Sequence, residues 1–442
     1  MQSSDYINLQ RRDYSLYVLQ NRAIPALADG LKSAARRVLW VAKNGDKYKT
    51  ATLAGRALPL HPHAPPEGAI NTLAAPYGNN IPLFSGSGAF GTLLNPTAYG
   101  AARYTSIKVS EFTKDVVFRD LDLAPMMENY DGTELEPAHM LPLVPLILLN
   151  PTQGIAVGFA TNILPRSLSD IIHAQLQILS RKKAKDVDPL VPKFVPTKSV
   201  SIDREGTMFY FQGEWEKINT SLLRITSLPY GTDHAKYVDH LDKLLDQDKI
   251  QDYEDNSKDV IDITIKFKRG ELAKLSDDKI RTLLKLVNRE SENLTYIDVD
   301  GETVASSEAE QAIETFTMWR LKWYYDRYEK LLKELQEEIQ KYKDILQAIK
   351  KNVGGTAKKV KSRAELIEYL REIDIVNVDY IAGFPVYRFT VEEKDKTEKK
   401  LVKALALAKK YEELLGSETK RRNVYKKELE EVLDRYTKGD YL

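Results

Sequence analysis

Residues 101–105 read Ala-Ala-Arg-Tyr-Thr, and the motifs on either side of this pentapeptide decide how the chain is interpreted. Tyrosine occurs 24 times, so Tyr104 alone is uninformative. Upstream lie a basic stretch at 22–37, a His-Pro-His triplet at 61–63 and a glycine-rich turn at 86–91. Cationic side chains near a tyrosine allow it to take part in covalent phosphoryl transfer, because they stabilise the phenolate and the charge that develops on phosphorus. We therefore interpret Tyr104 as a candidate nucleophile.

The composition limits the classes of protein to consider. The chain has 442 residues, 43% of them hydrophobic, which is typical of a multidomain globular protein. It has no cysteine, which excludes thiolate catalysis, cysteine-based zinc sites and disulfides. There is no signal-peptide pattern and no apolar run of membrane length. We expect a soluble, cytoplasmic protein with no membrane partner.

The charge is unevenly distributed. The formal net charge is only +1, yet residues 1–110 contain 12 Lys and Arg against 5 Asp and Glu. A basic N-terminal quarter on an otherwise acidic chain indicates a localised site for a polyanion. A solvated basic surface would give the same count, so the motifs must decide between the two.

The basic quarter supplies the cations that a tyrosine nucleophile would need. A free phenol has a pKa near 10, so only about one in a thousand is ionised at pH 7. Arg103 adjoins Tyr104. The other candidate phosphate contacts are Arg22, Lys32, Arg36, Arg37, His61 and His63. Incidental loop histidines and a solvated helix face are the simpler alternatives. We assign no metal site, so a metal ion would come from outside the chain.

The glycine-rich turn matches the G-x-G-x-x-G pattern of dinucleotide-binding proteins. That fingerprint needs a helix that opens on it. Residues 92–96 read Thr-Leu-Leu-Asn-Pro, which is a poor helix start. We favour a turn that needs positive φ at several glycines.

Asp298 and Asp300 have the spacing of a metal-binding D-x-D pair. Asp300-Gly301 lies between two strand-like segments, 294–299 and 303–305, as in a hairpin turn. We favour the turn over the metal site.

Ile155 lies in an apolar segment, Gly-Ile-Ala-Val-Gly at 154–158. Core packing is the simpler interpretation. The alternative is a hydrophobic wedge that inserts between base steps and kinks duplex DNA.

The chain pattern changes twice and predicts an α+β protein of three domains. Residues 1–165 mix short helices with Gly, Pro and Asn turns, residues 166–304 alternate helices and strands, and residues 305–442 are rich in Lys, Glu, Leu and Tyr. We expect helices at 14–24, 31–42, 168–179 and 235–245, and strands at 200–211, 222–226 and 260–267.

The third domain is predicted to be a long antiparallel coiled coil. Apolar residues recur at spacings of three and four over four heptads, namely Leu321, Tyr325, Tyr328, Leu332, Leu335, Ile339, Tyr342, Leu346 and Ile349. A helix over 306–352 would be about 70 Å long. Helices at 401–415 and 425–436 would return along it.

A globular tip is expected between the outgoing and returning helices, at about 362–400. Gly354-Gly355 would stop the long helix, and a capping box of Ser362 and Glu365 would start a shorter one. Such a tip is a natural dimer contact.

The motifs follow one another in the order typical of one enzyme family. They are Arg22-Ala23-Ile24-Pro25, Asp29-Gly30-Leu31-Lys32, Arg36-Arg37-Val38-Leu39, His61-Pro62-His63, Ala102-Arg103-Tyr104-Thr105, residues 129–134, residues 154–162 and Leu228-Pro229-Tyr230. From Arg22 to the C-terminal hairpin, the chain resembles the breakage–reunion (A-type) subunit of type IIA DNA topoisomerases. The compact form is similar to the medium subunits of large-bacteriophage topoisomerases.

The resemblance implies a fold and an activity. Residues 1–165 would form a winged-helix DNA gate, 166–304 an α/β tower, and 305–442 a coiled coil with a C-gate dimer contact. Tyr104 would form 5′-phosphotyrosyl links in a transient double-strand break, with Arg103 beside it. Ile155 would be the DNA-bending wedge, and the cations would contact DNA.

The resemblance also implies partners and cofactors. Mg²⁺ and ATP would both be held by a B-type subunit, because nothing before residue 22 could encode its TOPRIM and ATPase domains. Homodimerisation through the DNA gate and C-gate would give an A2B2 assembly on double-stranded DNA. With no DNA-wrapping domain after Leu442, we expect relaxation and decatenation rather than negative supercoiling. The alternative is a DNA-binding structural or regulatory protein with a gate fold and no cleavage.

Two departures from the family pattern limit what the resemblance implies. Ser33 and Ala35 stand where Pro and His are usual, so one imidazole is missing. The usual His-Pro-His-Gly-Asp-Ser run continues here after His63 as Ala-Pro-Pro-Glu-Gly. In relatives this run adjoins the fluoroquinolone site, and we expect Glu67 and Asn71 to occupy the drug-contact positions.

Overall fold

The computed structural model of the chain describes residues 3–45, 47–62 and 66–441. The chain divides into two units, which we call unit 1 (Met1–Arg320 with Lys426–Leu442) and unit 2 (Leu321–Tyr425). The domain boundaries expected at 165 and 304 stay predictions. Among the described residues, no helix is both long and apolar enough to cross a membrane.

Unit 1 begins with the helices that carry the basic stretch. Its helices are α1 (Ser3–Val18), α2 (Ser33–Ala42), α3 (Thr50–Ala57), α4 (Pro66–Ala74), α5 (Leu146–Leu149), α6 (Leu168–Leu179), α7 (His234–Asp246), α8 (Glu271–Lys274) and α9 (Asp277–Leu283). A π-helical turn, Leu19–Ala23, follows α1, and another lies at Thr113–Val117. Short 3₁₀ turns lie at Leu58–Leu60, Leu121–Leu123, Ala184–Asp186 and Val195–Thr197.

The strands of unit 1 form several small antiparallel sheets. They are β1 (Tyr48–Lys49), β2 (Phe84–Ser87), β3 (Ser106–Val109), β4 (Met126–Glu128), β5 (Leu135–Pro137), β6 (Thr152–Ile155), β7 (Ala160–Ile163), β8 (Lys193–Phe194), β9 (Ser199–Glu205), β10 (Met208–Gln212), β11 (Trp215–Lys217), β12 (Leu222–Ile225), β13 (Asp252–Asp255), β14 (Ile263–Lys266), β15 (Val287–Ser291), β16 (Thr295–Ile297) and β17 (Val304–Ser306). The sheet orders are β1-β3-β2, β15-β10-β9-β8, β11-β12-β14-β13, β4-β5, β6-β7 and β16-β17.

The sheet β1-β3-β2 packs with α2, α3 and α4 around a shared apolar core. The fully buried residues of this core include Leu39, Leu53, Ile70 and Phe84. Ile107, on the central strand, is only 1% exposed. This arrangement of three helices and a three-stranded sheet places the residues just before β3 at the surface.

The middle of unit 1 has a core of its own between the sheet β11-β12-β14-β13 and helices α7 and α9. It contains Leu223, Ile225, Tyr237, Leu241, Ile263, Ile265 and Ile280. The expected helix at 168–179 is confirmed, with Ser167 as its N-cap. The single strand expected at 200–211 is wrong, because Gly206, with φ of +61°, turns the chain back and makes a β9–β10 hairpin.

Unit 2 is helical. Its elements are α10 (Ala309–Lys350), which begins in unit 1, α11 (Val353–Thr356), α12 (Arg363–Glu372), α13 (Val378–Ala382), a 3₁₀ turn at Val386–Phe389, α14 (Val391–Leu415) and α15 (Glu418–Thr437), which ends in unit 1.

Helices α10 and α14 pack in antiparallel order. Leu335 and Ile339 contact Ala404 and Ala408 in one cluster. The seam assignment of Tyr325 is wrong, because that ring is 41% exposed whereas its neighbour Tyr324 is fully buried. Tyr324 stacks on Tyr425 with ring centroids 4.9 Å apart. Because Tyr425 is distant in sequence, the heptad pattern could not show that Tyr324 rather than Tyr325 is the buried residue. Supercoiling of the pair stays a prediction.

The far end of unit 2 contains a small core formed by Ile345, Ala348, Val353, Leu370, Ile375 and Ile381. The long helix ends at Lys350, and Asn352 adopts a left-handed conformation with φ of +52°. The expected stop at Gly354-Gly355 is therefore wrong, since both glycines lie inside α11. The cap at Ser362 is confirmed, because its side chain accepts a hydrogen bond from the Glu365 N–H.

The last residues of the chain pack on unit 1. Glu428 pairs with Arg119 at 3.4 Å. The Tyr441 hydroxyl donates to Asp115 at 2.9 Å, and its ring meets Phe112 edge-on at 5.4 Å. Residues 426–441 are thus part of the fold around residues 112–119.

Candidate active site

Tyr104 lies in a turn immediately before the central strand β3. Its side chain is 71% exposed, and its N–H donates to the Ala101 carbonyl at 2.8 Å. A ring this exposed contributes little to a core, so its place in the fold gives it no structural role there.

The backbone of this turn is fixed to the first residues of helix α3. The Thr50 N–H donates to the Thr105 carbonyl at 3.1 Å, and the Ala51 N–H donates to the Ala102 carbonyl at 3.3 Å. The hydroxyls of Thr105 and Thr50 form a buried hydrogen bond of 2.7 Å. The first N–H groups of a helix have no intrahelical acceptor, and here the turn supplies two. Tyr104 is therefore presented by a backbone that is held on both sides.

The glycine-rich segment before Tyr104 is only partly the turn that the sequence predicted, because Gly86 and Ser87 belong to strand β2 and the chain leaves the strand at Gly88. Gly88 and Gly91 have φ of +107° and +94°. A Cβ on Gly91 would collide with the Pro96 carbonyl oxygen, so only glycine fits. No helix opens on the segment in the described residues 92–100, which is inconsistent with a dinucleotide fingerprint.

Arg103 is in direct contact with Tyr104. The guanidinium carbon lies 5.0 Å from the centroid of the Tyr104 ring, within range of a cation–π interaction. A permanent positive charge is therefore placed beside the phenol.

Arg36 is paired with a buried carboxylate. Its Nε and Nη2 donate to Asp29 at 2.6 and 3.0 Å, and Asp29 is fully buried. Burial alone would lower the pKa of the Arg36 guanidinium, but the charge and hydrogen bonds of Asp29 outweigh it and raise that pKa. Asp29 also accepts from the N–H groups of Leu31 and Met140, so it fixes the start of the basic helix.

Arg37 is paired in the same way with Glu136 on β5. Its Nε and Nη2 donate at 2.7 and 2.9 Å, and both residues are buried. The sequence pattern did not reveal these partners, because Glu136 lies 99 positions away and Asp29 belongs to a turn. Phosphate contact by Arg36 and Arg37 stays a prediction.

Lys32 and Ile155 lie on adjoining elements. The Lys32 ammonium donates to the Gln153 carbonyl on β6 at 2.5 Å, and burial lowers its pKa. Ile155 is the last residue of β6 and is 87% exposed. The interpretation of Ile155 as a core residue is therefore wrong. A Cβ on Gly154 would collide with the Ala23 carbonyl, so the hairpin backbone lies directly on the turn that carries Arg22.

His61 is enclosed by aromatic side chains. It is only 6% exposed, its Nε2 is hydrogen-bonded to the Tyr17 hydroxyl, and the Tyr130 ring meets it edge-on at 5.2 Å. The neighbouring loop is tied down, since the Asn129 amide donates to the Pro59 carbonyl at 3.2 Å. His63 lies outside the described residues.

Glu67 and Asn71 lie one turn apart on α4, so they share a helix face. Glu67 is exposed, and Asn71 is half-buried. The Asn71 Oδ1 is buried and has no hydrogen-bond partner in the described part of the chain.

The aspartate pair at 298 and 300 is a hairpin turn, as favoured from the sequence. β16 pairs with β17, and the Asp300 carboxylate accepts from the N–H groups of Glu302 and Thr303, both at 2.9 Å. Within residues 3–45, 47–62 and 66–441, no group of three or more His, Asp or Glu side chains could hold a metal ion.

The chain is similar in sequence and in fold to known proteins. Over residues 22–430 the sequence matches the family of DNA gyrase/topoisomerase IV A subunits, and the chain belongs to that family. It is 31% identical over 438 residues to the DNA topoisomerase medium subunit of Enterobacteria phage T4, covering 95% of this chain and 96% of the relative.

Other relatives are longer than this chain. It is 33% identical over 262 residues to the DNA gyrase A subunit of Campylobacter jejuni, which is 53% of this chain and 30% of that protein. The fold is similar to the DNA-binding, cleavage and re-ligation domain of Plasmodium falciparum topoisomerase II, with a TM-score of 0.79 and 21% identity over 96% of this chain and 64% of that one.

Proposed function

We propose that the protein is the DNA cleavage and religation subunit of an ATP-dependent type II DNA topoisomerase. The observation that carries the proposal is Tyr104, exposed on an anchored turn with the Arg103 guanidinium against its ring. Membership of the gyrase and topoisomerase IV A-subunit family supports it.

The proposed reaction is a reversible transesterification. The Tyr104 Oη attacks a backbone phosphorus, the bond from phosphorus to the 3′-oxygen breaks, and a 5′-phosphotyrosyl bond replaces it. The phenol proton leaves as the new bond forms, and the departing 3′-oxygen takes up a proton. Attack by the 3′-hydroxyl reverses these steps and reseals the strand, so one phosphoester is exchanged for another and no energy source is consumed in joining.

The cations would stabilise the charge that develops on phosphorus. Arg103 acts beside the phenol, while Arg22, Lys32, His61 and His63 contact the DNA backbone. Arg36 and Arg37 use Nε and Nη2 for their carboxylates, so a phosphate would be met by Nη1. Their guanidinium planes are already oriented by those pairs, which reduces the entropy lost on binding.

Ile155 is proposed as the wedge that opens a base step. It is the last residue of β6 and is 87% exposed, whereas the next residue, Ala156, packs beside Leu19, Ala23, Ile24 and Ile297. Val157 and Phe159, 63% and 45% exposed, extend the apolar tip of the hairpin.

Cofactors and assembly complete the proposal. We place Mg²⁺ and ATP on the B-type partner and propose an A2B2 complex on double-stranded DNA, with this chain in homodimeric contact at the DNA gate and at the tip of a coiled coil. The gate would be a winged-helix domain over 1–165, followed by a tower over 166–304.

Reconstitution tests the function. With the B partner, Mg²⁺ and ATP, the chain is expected to relax supercoiled plasmid and decatenate linked circles, and denaturant should trap covalent protein–DNA adducts. Gel assays of plasmid topology measure the products. ATP-dependent introduction of negative supercoils into relaxed plasmid would contradict the preference for relaxation, and the absence of any adduct would contradict the cleavage role.

Glu67 and Asn71 are proposed as the drug-contact positions, because they share one face of α4. Glu67→Ser is expected to increase quinolone-stabilised cleavage several-fold, because it removes a negative charge from the face of α4 that is proposed to contact the drug. Cleavage complexes are measured over a range of quinolone concentrations, with Glu111→Ser as the control. Equal dose–response curves for the wild-type and Glu67→Ser proteins would argue against the assignment.

A further inference from the structure

The hairpin that carries Ile155 contacts a segment more than 120 residues further along the chain. Ile155 pairs in register with Ala160, and the Ala156 N–H donates to the Phe159 carbonyl to close the turn. The outer strand β7 then lies against the segment Ser291-Glu292-Asn293.

Asn293 is the centre of this contact. Its N–H donates to the Asn162 carbonyl and its carbonyl accepts from the Asn162 N–H, both at 2.9 Å. Its side-chain amide donates to the Ala160 carbonyl at 2.6 Å, opposite Ile155 in the hairpin register. The Thr161 hydroxyl donates to the Asn293 carbonyl at 3.3 Å, so three successive residues of β7 are held by one asparagine.

The segment that holds the hairpin is itself anchored in the interior. The Glu292 carboxylate accepts from Arg166 Nη1 and Nη2 at 2.8 and 2.7 Å, and Arg166 is 1% exposed. The Asn293 Oδ1 accepts from the Thr295 hydroxyl at 2.7 Å, which orients the amide toward Ala160. The Glu292 carboxylate also accepts from the Leu164 N–H, just after β7, at 2.9 Å. The segment that contacts β7 is thus anchored by a buried ion pair next to Asn293.

We propose that Asn293 is a positioning residue for the Ile155 wedge. The inference rests on the proposed function, in which Ile155 enters a base step. Unstacking a step costs free energy, and a wedge on a hairpin that yields would be pushed aside instead of separating the bases. Asn293 braces the hairpin on its outer strand, while Lys32 braces the inner strand at Gln153.

Bending of a duplex labelled with two fluorophores tests the proposal, with the full chain, its B partner and Mg²⁺. Asn293→Ala removes the amide bond to Ala160 and keeps the backbone bonds, and its side chain is exposed, so the core stays intact. The variant also removes the acceptor of the Thr295 hydroxyl, which still lies 2.7 Å from the Ser306 hydroxyl. The bent-to-straight ratio is expected to fall about three- to tenfold, the usual effect of losing the hydrogen bond to the hairpin. Asn162→Ala, which removes the amide bond to Ser291 at 2.6 Å, should lower it in the same direction.

A double-mutant cycle separates positioning of the wedge from general loss of structure. In the Ile155→Ala background, Asn293→Ala is expected to change the ratio less than about twofold, because the wedge it positions is gone. Asn288→Ala is the matched control, because it removes amide hydrogen bonds to the Tyr230 carbonyl at 2.8 Å and to the Glu290 carboxylate at 2.9 Å, neither of them to the hairpin, and should leave bending unchanged.

Three results with the asparagine variants would overturn the inference. They are unchanged bending in Asn293→Ala, an equal loss from Asn293→Ala with and without Ile155, and an equal loss in Asn288→Ala. If Ile155→Ala itself bends DNA normally, the proposed wedge is wrong and the inference falls with it. If Ile155→Ala fails to bend DNA while Asn293→Ala is normal, only the inference is wrong.

Discussion

Tyr104→Phe is expected to lower covalent DNA adducts by more than about a thousandfold, because phenylalanine has no oxygen to bond to phosphorus. DNA affinity should change less than about twofold, since phosphate contacts by other side chains dominate binding. Adducts are trapped with denaturant after reaction with the B partner, Mg²⁺ and supercoiled plasmid, and free DNA binding is measured in parallel.

A tyrosine in the same loop provides the control. Tyr99 lies five positions before Tyr104 and is half-buried, so Tyr99→Phe removes a hydroxyl from the same loop without touching the proposed nucleophile. It should retain adduct formation. Equal adducts for the wild-type and Tyr104→Phe proteins would refute the mechanism, and adducts absent from both would favour the alternative of a DNA-binding protein that does not cleave.

Asp29→Asn is expected to destabilise unit 1 by about 3–5 kcal/mol, the usual cost of breaking a buried ion pair by removing one partner. The variant keeps the shape of the side chain but leaves the Arg36 guanidinium in a buried site without its counter-charge. Denaturant unfolding followed by circular dichroism measures the loss.

The matched control for Asp29→Asn is the same chemical change at an exposed ion pair. Glu271 pairs with Lys274 at 2.8 Å on the surface, so Glu271→Gln should leave the unfolding midpoint unchanged. A normal midpoint for Asp29→Asn would mean that the Asp29–Arg36 pair does not stabilise the fold around the basic helix. Equal losses of the unfolding midpoint in Asp29→Asn and Glu271→Gln would also mean that the Asp29–Arg36 pair does not stabilise the fold around the basic helix.

Local patterns in the sequence predicted those parts of the fold that depend on near neighbours. The helix at 168–179 follows its apolar periodicity and its Ser167 cap, and both are present. The β9–β10 hairpin was missed because a single Gly206 turn interrupts an otherwise continuous strand pattern. The choice of Tyr324 over Tyr325 depends on Tyr425, a distant contact along the chain that heptad spacing does not encode.

In the candidate site, too, contacts between neighbours in sequence could be predicted, and contacts that depend on tertiary packing could not. Arg103 beside Tyr104 could be predicted, because the two residues are adjacent and the side chains meet. The carboxylates of Asp29 and Glu136 could not be predicted, since pairing of Arg37 with Glu136 depends on the packing of α2 against β5. Bracing of the Ile155 hairpin by Asn293 is equally a consequence of tertiary packing.

The return of residues 426–441 to unit 1 bears on how the protein is made. Asp115 forms its hydrogen bond with Tyr441 only after Tyr441, 326 positions later, has been synthesised. At about 5–20 residues per second, synthesis of the intervening chain takes roughly 15 to 65 s. Phe112, fully buried in the finished fold, has no Tyr441 ring against it during that interval. The continuous unit 2 has all its residues before unit 1 does, so a nascent chain reaches a stage at which its later portion is complete while its earlier portion is still open to proteases and chaperones.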